Sequence, residues 1–376
     1  MRIALCQINT TVADFDGNVR RILDFTARAA GLGADLALFP ELAITGYPPK
    51  DLLLRSDFLE SAGKALSEVA RRAKIPILAG TVIPNRARVG RSLYNVAAYI
   101  KGGRVDSFAK KMLIPTYDVF DEARYFEPGA SPTRIALNRT RLGVTICEDV
   151  WNDRDFWPKR AYAVDPVAAL NKKGFDILVN LSASPFELGK VALRLRMLRA
   201  AARKYGRAVL HVNLVGGNDD LLFDGNSLVI DSAGNLICRG AAFAEDLQIV
   251  DTGAAPPIHF DRWDTSREAY ESLVMGTRDY ARKTGFRSAL LGLSGGIDSS
   301  VTAGVAVDAL GAENVLGVLL PGPYSSRGSV RDANALAESL GIRTKMISIV
   351  PVVRSVLRTL RPAFEGRRPD VTEENL

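Results

Sequence analysis

The stretch LLGLSGGIDSS, residues 290–300, constrains this chain more than any other. An apolar run ends in two glycines flanked by serines, and a new helix is expected from about Val301. Gly295 and Gly296 allow a ligand to approach the backbone closely, and Ser294 and Ser299 offer hydroxyls. A helix beginning here directs free N–H groups and its positive dipole end at an anion. A bare Gly-Gly also makes a tight strand-to-helix turn. The serines and Asp298 favour the other reading, a phosphate cradle from Leu293 through Ser294, Gly295, Gly296, Ile297, Asp298 and Ser299 to Ser300. The lysine of the usual P-loop is absent. Around the loop run SALLGL, the helix, the strand NVLGVLLP, a helix marked by Ala333, Leu336, Ala337 and Leu340, and the strand KMISIV. Such alternation predicts a doubly wound parallel sheet with its ligand at the carboxyl ends of the strands.

A chain of 376 residues exceeds one ordinary core, so at least one further domain precedes this unit. DTGAAPPIHFDRW lacks periodicity and is rich in proline and alanine, placing a linker at 251–264 between domains at 1–250 and 265–376. Just beyond it, Thr265 and Glu268 have the spacing of a capping box, and Tyr270, Leu273, Val274 and Tyr280 continue as one helical face. In the first domain, Arg2–Ile8 reads as a strand, Val19, Ile22, Leu23 and Thr26 as a helix face ending near Gly31, and ADLALFPE as a buried strand stopped by Pro40. Hairpins are expected at Gly102-Gly103 and around Gly234. The fold class is therefore α/β in both parts, with mixed strand directions in the first.

Composition narrows the chemistry. Three cysteines and two histidines, widely spaced, exclude a disulfide framework and a Cys/His zinc site. Met1 leads straight into the strand-like RIALCQI, and no apolar run reaches membrane-spanning length, so a cytoplasmic protein without membrane contact is expected. The net charge of +7 is spread along the chain, and its densest stretch, RLRMLRAAARKYGR, has leucines at helical spacing. It reads as a solvated helix face rather than a nucleic-acid patch.

Three strand ends carry reactive types: Glu41 in LFPELAITGYPP, Lys111 in FAKKMLIPTYDVFDEARYFEPG, and Cys147 in GVTICEDVW. Singly, each has a plain reading, as a surface carboxylate, a solvated charge beside Lys110, and a buried cysteine. Cys6 and Cys238, inside strands, read as core cysteines, and His211 as a core or rim histidine.

Together, Glu41, Lys111 and Cys147 in these contexts resemble the Glu-Lys-Cys site of the nitrilase superfamily, across nearly the whole first domain. SGGIDSS resembles the pyrophosphatase loop of enzymes that split ATP between its α and β phosphates. The two in tandem, with LPGPYSSRGSVRDANALAESLGI and FDGNSLVIDSAGNLI, resemble the glutamine-dependent NAD synthetase family. That resemblance implies an α-β-β-α sandwich followed by a Rossmann-like ATP pyrophosphatase domain.

It also implies a chemistry. Cys147 attacks the glutamine carboxamide, Glu41 moves the protons, and Lys111 with the N–H after Cys147 stabilises the oxyanion. Lys111 rather than Lys110 stands at the required distance before Pro115, and Glu122 is a second acid. Tyr117, Glu148, Ser184 and Lys190 would hold glutamine, Lys190 facing its carboxylate. Released ammonia passes through an internal tunnel; ATP adenylylates nicotinic acid adenine dinucleotide, with Asp298 holding Mg2+, and ammonia displaces AMP. Small-molecule substrates and a homo-oligomer follow from the resemblance. The ending PDVTEENL comes where the family continues, so an incomplete synthetase sheet of three strands, active as a glutaminase alone, is expected.

Rival amidotransferases fit less well. A GMP-synthetase type needs a Cys-His-Glu glutaminase, and an asparagine-synthetase type needs cysteine where Arg2 stands. A tRNA-modifying ATP pyrophosphatase, another such amidotransferase, or a stand-alone amidase would each leave one half of the chain unexplained.

Overall fold

The computed structural model describes residues 1–253, 255–261 and 263–364. Ala254 and Arg262 of the expected linker, and the closing PDVTEENL, lie outside them. The chain divides into two compact units, Met1–Ser272 and Leu273–Leu376, so the 251–264 stretch falls inside the first.

In chain order the first unit contains β1 (Arg2–Gln7), α1 (Phe15–Gly31), β2 (Leu36–Leu38), α2 (Ser56–Arg72), β3 (Ile77–Pro84), β4 (Leu93–Lys101) and β5 (Arg104–Lys110). β6 (Thr133–Leu137), β7 (Thr140–Ile146), α3 (Pro166–Lys173), β8 (Ile177–Ser182), α4 (Lys190–Tyr205) and β9 (Ala208–Asn213) follow. The small hairpin β10 (Val215–Asn218) and β11 (Leu221–Asp224) then leads to β12 (Leu228–Ile230), β13 (Leu236–Arg239) and β14 (Asp246–Asp251). One six-stranded sheet runs β14-β1-β2-β3-β4-β5 and a second runs β13-β12-β9-β8-β7-β6. In each, parallel central strands (β1, β2, β3; β7, β8, β9) are flanked by antiparallel neighbours.

Side-chain alternation explains the layers. Ile3, Leu5, Leu36 and Leu38 point to a core shared with Val144, Ile146, Val179, Leu181 and Leu210 of the other sheet. The opposite face of β1–β3 packs on Val19, Ile22 and Phe25 of α1 and on Leu66 and Val69 of α2. Across the second sheet, Leu178, Val209 and Leu228 pack on Leu170 of α3 and on Leu195 and Leu198 of α4. The result is the α-β-β-α sandwich. Both expected hairpins form, with Gly102, Gly103 and Gly234 at positive φ.

α4 departs from its expected solvated character. Arg196, Arg203 and Lys204 are exposed. Arg194 is instead fully buried, with its guanidinium on Asp224 at 3.0 Å. Its carboxylate partner lies on β11, and no local pattern in the helix announces it.

The second unit holds the continuation of α5 (Thr265–Thr284), then β15 (Ala289–Gly292), α6 (Ile297–Leu310), β16 (Val315–Leu319), α7 (Arg327–Leu340), β17 (Arg343–Met346) and α8 (Val350–Leu360). β15, β16 and β17 form a parallel three-stranded sheet around Leu293, Ala303, Ala306, Leu319, Ala333 and Ala337.

Four local expectations shift. α5 is capped by Asp264, whose Oδ1 accepts from Arg267 N at 2.8 Å; Thr265 is already helical, so no capping box forms there. Its buried stripe is Val274, Met275 and Ala281, leaving Leu273 and Tyr280 exposed. Arg278 explains part of this rotation by donating to the carbonyls of Asp308 and Ala309 at the end of α6. α6 begins at Ile297 rather than Val301: Gly296 is still extended, and its carbonyl already accepts the first helical bond, from Ser300 N at 3.1 Å. The KMISIV strand sits earlier, at Arg343–Met346, since Pro351 suits the first turn of α8 and not a ladder.

Gly80 of β3 lies hard against the segment that follows β2: a Cβ there would lie 2.1 Å from Leu42 N. Gly80→Ala should destabilise the fold by about 1–3 kcal/mol through overpacking. Gly63→Ala, on the exposed face of α2 with open space around it, should stabilise by about 0.5–1 kcal/mol. Thermal unfolding of both variants checks the pair, and an unchanged melting temperature for Gly80→Ala would contradict this packing account.

Candidate active site

Strand direction brings the reactive residues together. β5 runs in the same sense as β2 and β3, since two antiparallel steps separate β3 from β5. Glu41 and Lys111 therefore leave the same end of the first sheet. Cys147 and Ala183 leave β7 and β8, parallel neighbours of the second sheet.

Lys111 is fully buried, and its ammonium is held from two sides. Nζ donates to Glu41 Oε1 at 2.7 Å and to Glu122 Oε1 and Oε2 at 2.9 and 2.8 Å. Glu41, also fully buried, takes two further donors: Asn95 Nδ2 on Oε1 at 2.7 Å and Ala183 N on Oε2 at 3.0 Å. The last of these crosses from one sheet to the other. Glu122 accepts from the Tyr47 hydroxyl at 2.9 Å as well. Burial alone would depress the Lys111 ammonium, but the Glu122 and Glu41 carboxylates outweigh it and hold its pKa well above the usual lysine value. Burial pushes the Glu122 carboxyl up to about 7 against the pull of Lys111.

The adjacent Lys110 points elsewhere, its ammonium 3.6 Å from the centre of the Tyr94 ring. Strand alternation makes this separation unavoidable.

Cys147 begins a short turn after β7 with φ of 43°, in the left-handed region. For a residue with a Cβ this is strained, and such strain concentrates at functional sites. Burial first, and the Glu41 carboxylate second, raise the Cys147 thiol well above its ordinary pKa, while Lys111 opposes them. The resting group is thus a thiol, and a base must take its proton as substrate arrives.

Around this centre, Glu148 is buried and accepts from the half-exposed Tyr117 hydroxyl at 2.8 Å. Ser184 is buried; its N–H donates to Asn213 Oδ1 at 2.9 Å and its hydroxyl accepts from Arg194 Nη2 at 3.3 Å. Lys190 opens α4 and lies 5.9 Å from the Trp151 ring. Burial first, and then Arg194, lower its ammonium pKa.

Sequence reasoning missed Asn95, Tyr47, Asp149 and the Ala183 N–H. Asn95 carried a usable signal, a lone amide in the apolar run YNVAAYI. Tyr47 and Asp149 stood within quoted stretches without a distinguishing pattern, and a backbone donor has none. Cys6 and Cys238 are core residues, as is His211, whose Nδ1 meets Asn180 Oδ1 at 2.8 Å.

In the second unit, Ser294 and Ser299 bring their hydroxyls to 3.1 Å, and Gly296 N donates to Ser294 Oγ at 3.2 Å. Gly295 has φ of 80°, and a Cβ on it would meet Ser329 O at 2.4 Å. Leu293 packs into the core, Ile297 and Asp298 are exposed on the first turn of α6, and the Ser299 and Ser300 hydroxyls donate back to the Gly296 carbonyl. A cavity of about 430 Å³ opens at the carboxyl ends of β15 and β16, lined by Gly292, Ser294, Pro321, Tyr324, Ser326 and Ser329 among others. Among the described residues, the Asp298 carboxylate makes no hydrogen bond or ion pair, no group of three metal-binding side chains occurs, and no helix is long and apolar enough to cross a membrane.

Comparison with known proteins covers the whole chain. The carbon-nitrogen hydrolase family model matches residues 2–254 and the NAD synthase model residues 269–376. Glutamine-dependent NAD(+) synthetases of Synechocystis sp. and Thermotoga maritima are 44% and 38% identical, over 100% of this chain and 69% and 70% of theirs. The ADP complex of the glutamine-dependent NAD+ synthetase from Acinetobacter baumannii superimposes with a TM-score of 0.88 at 36% identity, over 100% of this chain and 69% of that one. A variant of the Nesterenkonia AN1 amidase from the nitrilase superfamily matches 67% of this chain and 90% of its own at 25% identity, with a TM-score of 0.58. Amidase-like and nucleotide-binding folds thus occur in one chain, in the same order and over the same span as in these relatives, and the chain belongs to the glutamine-dependent NAD(+) synthetases.

Proposed function

We propose that this enzyme draws its ammonia from glutamine through a thioester on Cys147, with Glu41, Lys111 and Glu122 as the machinery around it. The observation that carries this reading is the fully buried Lys111 ammonium gripped by two carboxylates at the strand ends from which the left-handed Cys147 also emerges. Glu41 takes the thiol proton as Sγ attacks the carboxamide carbon. Lys111 and the Glu148 N–H stabilise the oxygen that becomes negative. The C–N bond then breaks, and Glu41 returns the proton to the departing ammonia. A water, deprotonated by Glu41, attacks the thioester and releases glutamate, and the proton it gave up restores the Cys147 thiol. Tyr117, Glu148, Ser184 and Lys190 hold the substrate, Lys190 against its carboxylate.

In the second unit, the cradle from Leu293 to Ser300 takes the phosphates of ATP at the amino end of α6. The acceptor carboxylate of nicotinic acid adenine dinucleotide attacks the α phosphate, pyrophosphate leaves, and ammonia displaces AMP to form the amide of NAD. Mg2+ fits the exposed and unengaged Asp298 carboxylate, since this ion is commonly held by one or two carboxylates with substrate phosphates and water. When bound it would neutralise charge on the leaving pyrophosphate. Three unpaired cysteines accord with a cytoplasmic enzyme, and the exposed Leu273, Tyr280 and Phe286 with assembly into a homo-oligomer.

Cys147→Ala should abolish glutamine hydrolysis while the thermal unfolding curve stays near that of the parent, because little volume is removed. The E41Q mutant of the Nesterenkonia amidase carries acrylamide on its active-site cysteine by Michael addition; Glu41→Gln should be alkylated by acrylamide here likewise, and adding Cys147→Ala in that background should remove the adduct. Ammonia release by Cys147→Ala at the parent's rate would sink the thioester.

Lys111→Ala should lower glutaminase kcat by about a hundredfold or more, as expected for an oxyanion donor. Lys110→Ala, which loses only its contact with Tyr94, should remain within about twofold. The opposite order would assign the role to the wrong lysine.

Because Glu122 is raised to about 7, glutaminase kcat/KM should climb with pH through that value as the carboxylate ionises and completes the grip on Lys111. Glu122→Gln holds the neutral form and should flatten this limb at its low plateau. A limb of unchanged height and midpoint in the variant would belong to another group.

A further inference from the structure

Asp149 lies two residues past the nucleophile and is 2% exposed. Both of its oxygens are engaged by backbone amides: Oδ1 accepts from Met112 N at 3.0 Å and Leu113 N at 2.8 Å, and Oδ2 from Ile146 N at 3.0 Å. Met112 and Leu113 directly follow Lys111; Ile146 directly precedes Cys147. One carboxylate therefore fastens the exit of β5, in the first sheet, to the exit of β7, in the second.

Two physical points give this fastening a purpose. Left-handed backbone at a non-glycine residue persists only where its surroundings over-determine it, and Asp149 fixes the amide just before Cys147. Asn180 Nδ2 meets the Cys147 carbonyl from the other side at 3.4 Å, a longer contact. In addition, burial pushes the Asp149 carboxyl up to about 7 against the pull of these amides and Lys111; above that pH it is ionised, and hydrogen bonds to an ionised acceptor are roughly twice as strong as neutral ones, so the carboxylate then resists relative movement of the two segments better than an amide could.

The geometry points to Asp149 as a positioning residue for glutamine hydrolysis, holding the Lys111 ammonium and the Cys147 thiol at their working separation across the sheet interface. It touches neither substrate nor reacting atoms. The inference rests on the proposed thioester chemistry. The two fail separately: that chemistry falls if Cys147→Ala still releases ammonia, whereas this inference falls on Asp149 variants alone.

The test uses the full chain with Asp149→Asn, which keeps the shape but places an NH2 donor against one of three backbone donors. Glutaminase kcat, counted per thiol reactive toward iodoacetamide, should fall about ten- to hundredfold, in line with a displacement near 1 Å at the reacting groups. KM should stay within about threefold, and alkylation of Cys147 should slow. A carboxylate that only stabilised the fold would lower the melting temperature and the number of reactive thiols, leaving kcat per thiol unchanged; kcat within twofold of the parent overturns the inference. Should Asp149→Asn fail to fold, Asp149→Glu, which keeps the charge, is read in the same way. Amide hydrogen exchange in the unaltered chain gives an independent result. Met112 and Leu113 should be protected to the same degree as Ile146, and exchange at the rate of exposed loop amides would refute the fastening.

Discussion

The organisation of the first unit turns on one buried cation. An ammonium in a site without solvent access is tolerable only with carboxylates against it, since an uncompensated charge there would carry a desolvation cost of several kcal/mol. Glu41 and Glu122 meet that requirement for Lys111 from opposite sides. Their own remaining oxygens are then satisfied by Asn95, Tyr47 and the Ala183 amide. Each member thus needs the others, and the set joins the ends of strands from both sheets. Removing Lys111 leaves two facing carboxylates; removing Glu41 leaves an amide and a side-chain amide without acceptors. The mutual dependence makes the constellation a specific, highly constrained arrangement rather than a source of net stability.

The sandwich exists to bring those ends together. Two sheets with apolar inner faces stack through Ile3, Leu36, Val179 and Leu210, and parallel central strands align their carboxyl ends at one rim. Since side chains alternate along β5, one of two neighbouring lysines enters the site and the other rests on Tyr94. The same alternation that builds the core selects the functional residue.

How much of this was legible in the sequence depends on the range of each interaction. Period-two and period-3.6 patterns, with glycine turns, located most strands and helices, because those signals are local. Glu41, Lys111 and Cys147 stood out through their contexts. Arg194 did not: its charge looked like part of a solvated face, and only Asp224, distant in sequence, makes its burial possible. Asn95 and Tyr47 have purpose only once β2, β4 and the segment carrying Glu122 meet. The starts of α5 and α6 shifted for a related reason, since Asp264 and Gly296 compete with their neighbours for the cap position and hydrogen bonding decides between them.

Gly295 illustrates how a missing atom can set a dimension. With no Cβ, Gly295 in the loop after β15 rests directly against the backbone of Ser329 in α7, and Ser294 and Ser329 beside that contact both line the cavity of about 430 Å³. Here the loop's approach to α7 is set by backbone contact, not by side chains that can change rotamer. A single methyl group on Gly295 would meet Ser329 O at 2.4 Å and force the two segments apart. One corner of the cavity is in this sense cut by main chain, at a distance that side-chain motion cannot adjust.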